Sequence, residues 1–340
     1  MGSFFKLNRK CRCLILLKGL LMKKKPLCKS LATSSSHYWK KKSTVRYDEP
    51  GQEKYRRSIH CLSSCKGGSE SLQSLQEEDN VLYGPESKPS AEIKSKLNGM
   101  CFPLINPIKS SLTEKTVQGK PLKISLKRNN LASISAVLQQ TVPLKQAFYL
   151  ERWKQRMILE LGNDGFAEYT KKLFEQGKLF HSALENLLLN EETSLKGQEE
   201  DSSVSGALAS VQHVLQDVTG VRVLESAVQH ENLHYRGIVD CVAKYRGTLC
   251  VIEWKTSEKS KPFLQNTFDS PLQLAAYVGA INHDENYNFQ VGCGLLVVAY
   301  KDGSPAHPHY IDTELCSQYW NKWLIRLEEY KEKKKHNATE

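Results

Sequence analysis

Two closely spaced apolar runs, Gly237–Tyr245 and Thr248–Trp254, most constrain this chain's fold. Both are rich in β-branched and aliphatic residues, and a short connection containing Gly247 separates them. Runs of this kind read as two strands of a hairpin. Leu249–Ile252 is too apolar for an exposed edge, so the hairpin belongs inside a sheet covered on both faces. Charged residues nevertheless accompany each apolar stretch: Asp240 within the first, Glu253 and Lys255 at the end of the second. Side chains alternate faces along a strand, so Glu253 and Lys255 share one face and Trp254 takes the other. Antiparallel pairing brings Asp240 near Glu253. Two buried carboxylates repel and are expensive to desolvate unless a cation accompanies them. Mg²⁺ or Mn²⁺ satisfies that need, because hard cations take oxygen ligands at roughly 2.0–2.1 Å. The Trp254 carbonyl is a further oxygen donor on the same strand.

Three more segments supply candidates. Ser270-Pro271 opens a helix, Ser270 as its N-cap and Pro271 at the first helical position. Gln273 and Tyr277 are spaced i, i+4 on one face of it. Upstream, residues 177–190 carry Leu179, Phe180, Ala183, Leu184, Leu187 and Leu188 at helical spacing, with His181 among them. An imidazole ligand shifts metal preference from Mg²⁺ toward Mn²⁺. Glu225, on the preceding strand, is a supporting or second-metal candidate, and Thr256 and Ser257 are candidate phosphate donors. Lys255 orients or deprotonates water, or offsets charge in the transition state. An unperturbed lysine, near pKa ~10.4, is a poor base at neutral pH.

In order, Gly177-x-x-x-His181, Gly237-x-x-Asp240, Glu253-x-Lys255 and Gln273-x-x-x-Tyr277 resemble the motif set of the PD-(D/E)xK nucleases, within their RecB-type branch. The resemblance covers about residues 165–312. Val239-Asp240 stands where the family name has Pro-Asp. It implies an α/β fold, a central mixed β-sheet flanked by helices. It also implies divalent-metal-dependent hydrolysis of phosphodiester bonds. Asp240, Glu253 and Lys255 would be catalytic, with Asp240, Glu253, His181 and Trp254 as metal ligands. Relatives carrying an iron–sulfur cluster have three clustered downstream cysteines. Only Cys293 and Cys316 lie downstream here, so no cluster is expected.

Charge partitions the remainder. Residues 1–47 hold thirteen Lys and Arg and no acidic residue, against +11 for the whole chain, which leaves −2 beyond them. This basic, serine-containing segment reads as a mitochondrial targeting leader. Its apolar stretch is interrupted by Lys18 and is too short to span a bilayer. Position 6 is Lys, which fails the myristoylation pattern. Lysine triplets leave nuclear import as the alternative. Residues 48–118 are polar and read as disordered linker. Residues 119–330 read as the nuclease domain with an N-terminal helical elaboration, and 331–340 as a fraying basic tail. Residues 192–205 read as a polar connection followed by a helix over 207–217. A helix after Pro143 carries Phe148, Leu150, Trp153 and Met157 on its apolar stripe, and Arg152, Lys154 and Arg156 lie among the aromatics. That interleaving suits either a boundary helix or a single-strand contact. The ten cysteines form no CxxC pair, which fits a reducing interior.

With the leader, the resemblance implies a monomeric single-strand-specific DNA exonuclease of the mitochondrial matrix. It would process free ends or flaps of single-stranded DNA beside the mitochondrial replication machinery, away from any membrane. An RNA-processing nuclease and a catalytically inactive nucleic-acid-binding module of the same fold remain the alternatives.

Overall fold

The computed structural model describes residues 102–109, 119–126, 130–189 and 202–339. The leader, most of the expected linker and residues 190–201 lie outside the described residues. Elements run β1 (Ala132–Ser133), α1 (Ile134–Gln140), α2 (Leu144–Leu189), α3 (Ser202–Leu215), β2 (Val218–His230), β3 (Tyr235–Tyr245), β4 (Thr248–Ser257), α4 (Ser270–His283), β5 (Cys293–Tyr300), β6 (His307–Ile311) and α5 (Thr313–Thr339). The six-stranded sheet is ordered β1-β3-β4-β5-β6, with β2 pairing β3. It is mixed: β2–β3, β3–β4 and β5–β6 are antiparallel, while β4–β5 is parallel. A parallel pair needs a long crossover, and α4 supplies it.

The hairpin closes through Arg246 and Gly247, with φ of 49° and 84°. Both residues lie in the left-handed region, as a two-residue hairpin turn matching strand twist requires. Glycine takes that conformation without strain. Helices cover both faces of the sheet. On one, α1, α4 and α5 pack over Val239, Val242 and Val251 through Ile134, Leu274, Ile281, Trp320 and Trp323. On the other, Phe180 and Leu184 of α2 and Val211 of α3 pack over Cys241, Cys250, Ile252 and Trp254. Every residue of β5 is buried, which explains its unbroken apolar reading.

Several boundaries differ from expectation. Residues 102–109 fall in the expected linker, but they pack on the domain. Leu104 is buried, Trp320 Nε1 donates to the Phe102 carbonyl at 2.7 Å, and Lys109 Nζ donates to the carbonyls of Ile281 and Asp284. Their own content, Phe102-Pro-Leu-Ile, is apolar although the surrounding sequence is polar. α3 begins at Ser202, inside the stretch read as polar connection. α5 continues to Thr339 through the expected tail. Lysines in its last turns suit the negative end of the helix dipole, and Lys333 pairs with Glu329 at 2.7 Å. Strand β6 was not foreseen, because His307-Pro-His-Tyr-Ile reads as a loop; an edge strand tolerates its proline. Asp269, not Ser270, is the N-cap of α4, and Pro271 sits in the first turn. The Asp269 carboxylate is engaged by Arg326 at 3.1 and 3.3 Å. α2 is broken at Gly162, where φ is 73°, and Phe148 on its first segment is 60 % exposed.

Candidate active site

The site forms where the sheet opens. The β3–β4 ladder runs from Tyr245↔Thr248 to Cys241↔Ile252 and stops. Beyond it, β4 continues against β5 as far as Ser257↔Tyr300. The first half of β3 stays with β2 from Val239 back to Tyr235, and touches β1 at Tyr235 and Arg236. A fork therefore lies between β3 and β4. Asp240 and Glu253 are the first residues past its vertex. Gly237 lines the same opening: a Cβ there would stand 2.5 Å from Tyr277 Cε1 and 2.9 Å from Ile134 Cδ1. The glycine of Gly237-x-x-Asp240 thus lets α4 bring Tyr277 against the strand.

One group of side chains gathers on the α2 side. Asp240, 4 % exposed, accepts the Trp254 backbone N–H at 3.1 Å through Oδ2. His181 Nδ1 lies 3.7 Å from that oxygen and 3.5 Å from Glu225 Oε1. Ligand atoms of His181, Glu225 and Asp240 all lie within 4.8 Å of one another. The sequence does not foretell how Glu225 gets there. Its φ is +42°, an uncommon region for a residue with a Cβ. Leu224↔Cys241 and Ser226↔Val239 keep one register around it. The distortion turns Glu225 toward α2 without shifting the strand. Conformations of this kind cost about 1–3 kcal/mol and cluster at functional sites. Burial, and then the neighbouring Asp240 and Glu225 charges, push the Cys241 thiol well above its ordinary range.

A second group gathers on the α4 side. Glu253, 0 % exposed, accepts Lys255 Nζ at 2.7 Å and Gln273 Nε2 at 2.8 Å on Oε1. Gln273 Oε1 accepts Lys255 Nζ at 3.1 Å, and Gln273 Nε2 donates to the Tyr277 hydroxyl at 2.9 Å. The Gln273 amide orientation follows from these partners: oxygen toward the ammonium, nitrogen toward the carboxylate.

Asp240 and Glu253 were expected to converge on one cation. In the structure Asp240 faces His181 and accepts the Trp254 N–H, whereas Glu253 accepts Lys255 and Gln273. The Lys255 ammonium and the Gln273 amide both bond the same oxygen of the buried Glu253, Oε1. The two groups join through the Trp254 peptide, whose N–H holds Asp240 one residue from Glu253. Trp254 thus enters through its amide N–H. Thr256 shares the Trp254 face of β4 by alternation. The Ser257 hydroxyl donates to the Lys259 carbonyl at 2.7 Å, closing a turn.

Two residues escaped sequence reasoning. Glu185 lines one small pocket with His181, Glu225 and Asp240. Its i, i+4 spacing from His181 is the signal that could have found it. Lys123, from the segment before β1, pairs with Glu185, and nothing local in the sequence marks it. An imidazole and two carboxylates within mutual reach are a donor set for Mn²⁺ or Mg²⁺. Around the fork, Lys123 pairs with Glu185 and Lys255 with Glu253, while Glu225 and Asp240 face His181.

Among the described residues no helix is long and apolar enough to cross a membrane. The four described cysteines, Cys241, Cys250, Cys293 and Cys316, are free and buried.

Comparison with known proteins agrees with this geometry. The sequence profile of the PD-(D/E)XK nuclease superfamily matches residues 150–334. Mitochondrial genome maintenance exonuclease 1 of Homo sapiens is 56 % identical over 310 residues, 90 % of each chain. The Mus musculus protein of that name is 51 % identical over 329 residues, 96 % of each chain. The Xenopus tropicalis protein is 53 % identical over 338 residues, 96 % of this chain and 97 % of its own. With its mixed sheet, flanking helices and motif residues gathered around one fork, this chain is a nuclease and belongs to the PD-(D/E)XK nuclease superfamily.

Proposed function

We propose that this chain is a metal-dependent exonuclease that hydrolyses phosphodiester bonds of single-stranded DNA in the mitochondrial matrix. The observation that carries the proposal is the meeting, at one fork, of a metal donor set with a lysine fixed by a carboxylate and an amide. The basic leader and the name of the relatives support the compartment and the exonucleolytic mode. Processing of free ends or flaps, as a monomer beside the mitochondrial replication machinery, extends the same reading.

His181, Glu225 and Asp240 would hold Mg²⁺ or Mn²⁺, and Glu253 and the Trp254 carbonyl are the remaining oxygen donors at the fork. A divalent cation there supplies a Lewis acid that polarises the phosphoryl group and acidifies water. The residues do the rest. Gln273 and Glu253 fix Lys255, whose ammonium is in place before substrate arrives and offsets the charge that builds on phosphate oxygens. Tyr277, wholly buried, holds the Gln273 amide. The Trp254 N–H fixes the Asp240 carboxylate. Water adds to phosphorus as the bond to the leaving sugar oxygen breaks. Thr256 and Ser257, near the end of β4, would contact the strand beyond the scissile phosphate.

The test uses end-labelled single-stranded DNA, double-stranded DNA and matched single-stranded RNA, each with Mg²⁺, Mn²⁺ or EDTA. The proposal expects single-stranded DNA to shorten from an end only with the cation, and Asp240→Asn and Lys255→Ala to abolish shortening. Faster RNA digestion would favour an RNA-processing nuclease. Cleavage at the wild-type rate by Lys255→Ala would overturn the site.

A further inference from the structure

We propose that Lys123 is a phosphate contact for the nucleic-acid strand, set at the rim of the metal pocket; this rests on the reading given under Proposed function.

The backbone places it. Residues 119–126 lie along the free edge of β2 and bridge to it in parallel at Leu122↔Val223. Leu122 N–H donates to the Arg222 carbonyl at 2.8 Å, and its own carbonyl accepts Leu224 N–H at 3.2 Å. The Ile124 carbonyl accepts Ala227 N–H at 2.9 Å, and Ile124 N–H donates to Ser226 Oγ at 2.8 Å. Lys123 is thus pinned on both sides, level with the distorted Glu225. Its side chain crosses to Glu185, one helical turn after His181.

Burial then assigns the role. The Glu185 side chain is 10 % exposed and lines the pocket, whereas that of Lys123 is 48 % exposed. The carboxylate side chain is the buried partner of the pair and the lysine the half-exposed one. A half-exposed ion pair stabilises a fold only slightly, so stability alone gives little reason for this arrangement. Substrate approach gives a stronger one. A phosphodiester must come up to a pocket walled by Glu185, Glu225 and Asp240, and like charge repels it. Lys255 lies deeper, bonded to Glu253 and Gln273. Lys123, paired to the pocket residue Glu185 and half exposed, presents the opposite charge beside it, and an ammonium has three donors to offer.

The test is binding rather than cleavage. The full-length chain, with Ca²⁺ replacing the catalytic cation, is titrated into a fluorescein-labelled single-stranded 20-mer across a range of KCl concentrations, read by anisotropy. A contact to one phosphate of a single strand contributes about 0.7 to the slope of log affinity against log salt. Lys123→Gln should lower the slope by about that much and weaken binding about tenfold near 0.1 M KCl. Lys123→Arg should keep both. If Lys123 served only to neutralise Glu185, the double variant Lys123→Gln/Glu185→Gln would bind like wild type. The proposal expects the double variant to stay weak, with the reduced slope. A wild-type slope in Lys123→Gln, or recovery in the double variant, overturns the inference and leaves the site reading intact. Failure of the wild-type protein to bind the strand overturns both.

Discussion

Lys255→Met removes one half of a buried ion pair, and the structure sets the size of the effect. Glu253 is fully buried and Lys255 is its nearest cation, at 2.7 Å. Removing one partner of such a pair costs about 3–5 kcal/mol, because the other charge stays desolvated. Gln273 still donates to the carboxylate at 2.8 Å, which puts the expected loss near the lower end, about 3 kcal/mol. For a domain of this size that is a fall of about 6–12 °C in Tm. The measurement is calorimetry in EDTA, with Lys255→Met, Glu253→Gln and the double variant beside wild type. A neutral amide at position 253 needs no counter-charge, so the double variant should melt above Lys255→Met. All three variants should lack nuclease activity, which separates the stability effect from the catalytic one. The reasoning is refuted if Lys255→Met melts within about 2 °C of wild type, or if the double variant is no more stable than Lys255→Met.

Two further predictions follow from packing and protonation. Gly237→Ala places a Cβ against Tyr277 and Ile134, both wholly buried; overpacking of this kind costs about 1–3 kcal/mol. Displacing Tyr277 also loosens Gln273, so kcat should fall more than the small loss of Tm suggests; unchanged kcat would rule out a positioning role for Tyr277. Burial, followed by the nearby His283, lowers the His230 pKa from 6.5 to about 3. Below about pH 6.5 the unfolded chain takes a proton that the native imidazole refuses, so stability rises with pH between about 3 and 6.5, by up to about 1.4 kcal/mol per unit. Urea denaturation at pH 7.5, 6 and 5 should show this decline on acidification, and His230→Gln should flatten it; an equal slope in the variant would refute the assignment.

The hairpin and the order of site residues are legible in the sequence because each rests on local rules. Apolar runs buried on both faces, a glycine turn and alternation define β3 and β4. Helical periodicity places His181, Gln273 and Tyr277. What is illegible depends on tertiary contact. The turn of Glu225 toward α2 follows from a single positive φ that no neighbouring residue announces. Lys123 reaches Glu185 across 62 positions of sequence. Residues 102–109 pack against Trp320 and Asn282, more than 170 positions away, so polar surroundings hid a core segment. The different partners of Asp240 and Glu253 follow from where Gln273 docks, which strand alternation does not specify.

The most direct test of the central claim is an anomalous difference map at the manganese edge, from crystals grown with Mn²⁺. A peak is expected among His181, Glu225 and Asp240 at the β3–β4 fork, lost in Asp240→Asn. A fully occupied Mn²⁺ elsewhere in the domain, with these three side chains unliganded, would contradict it.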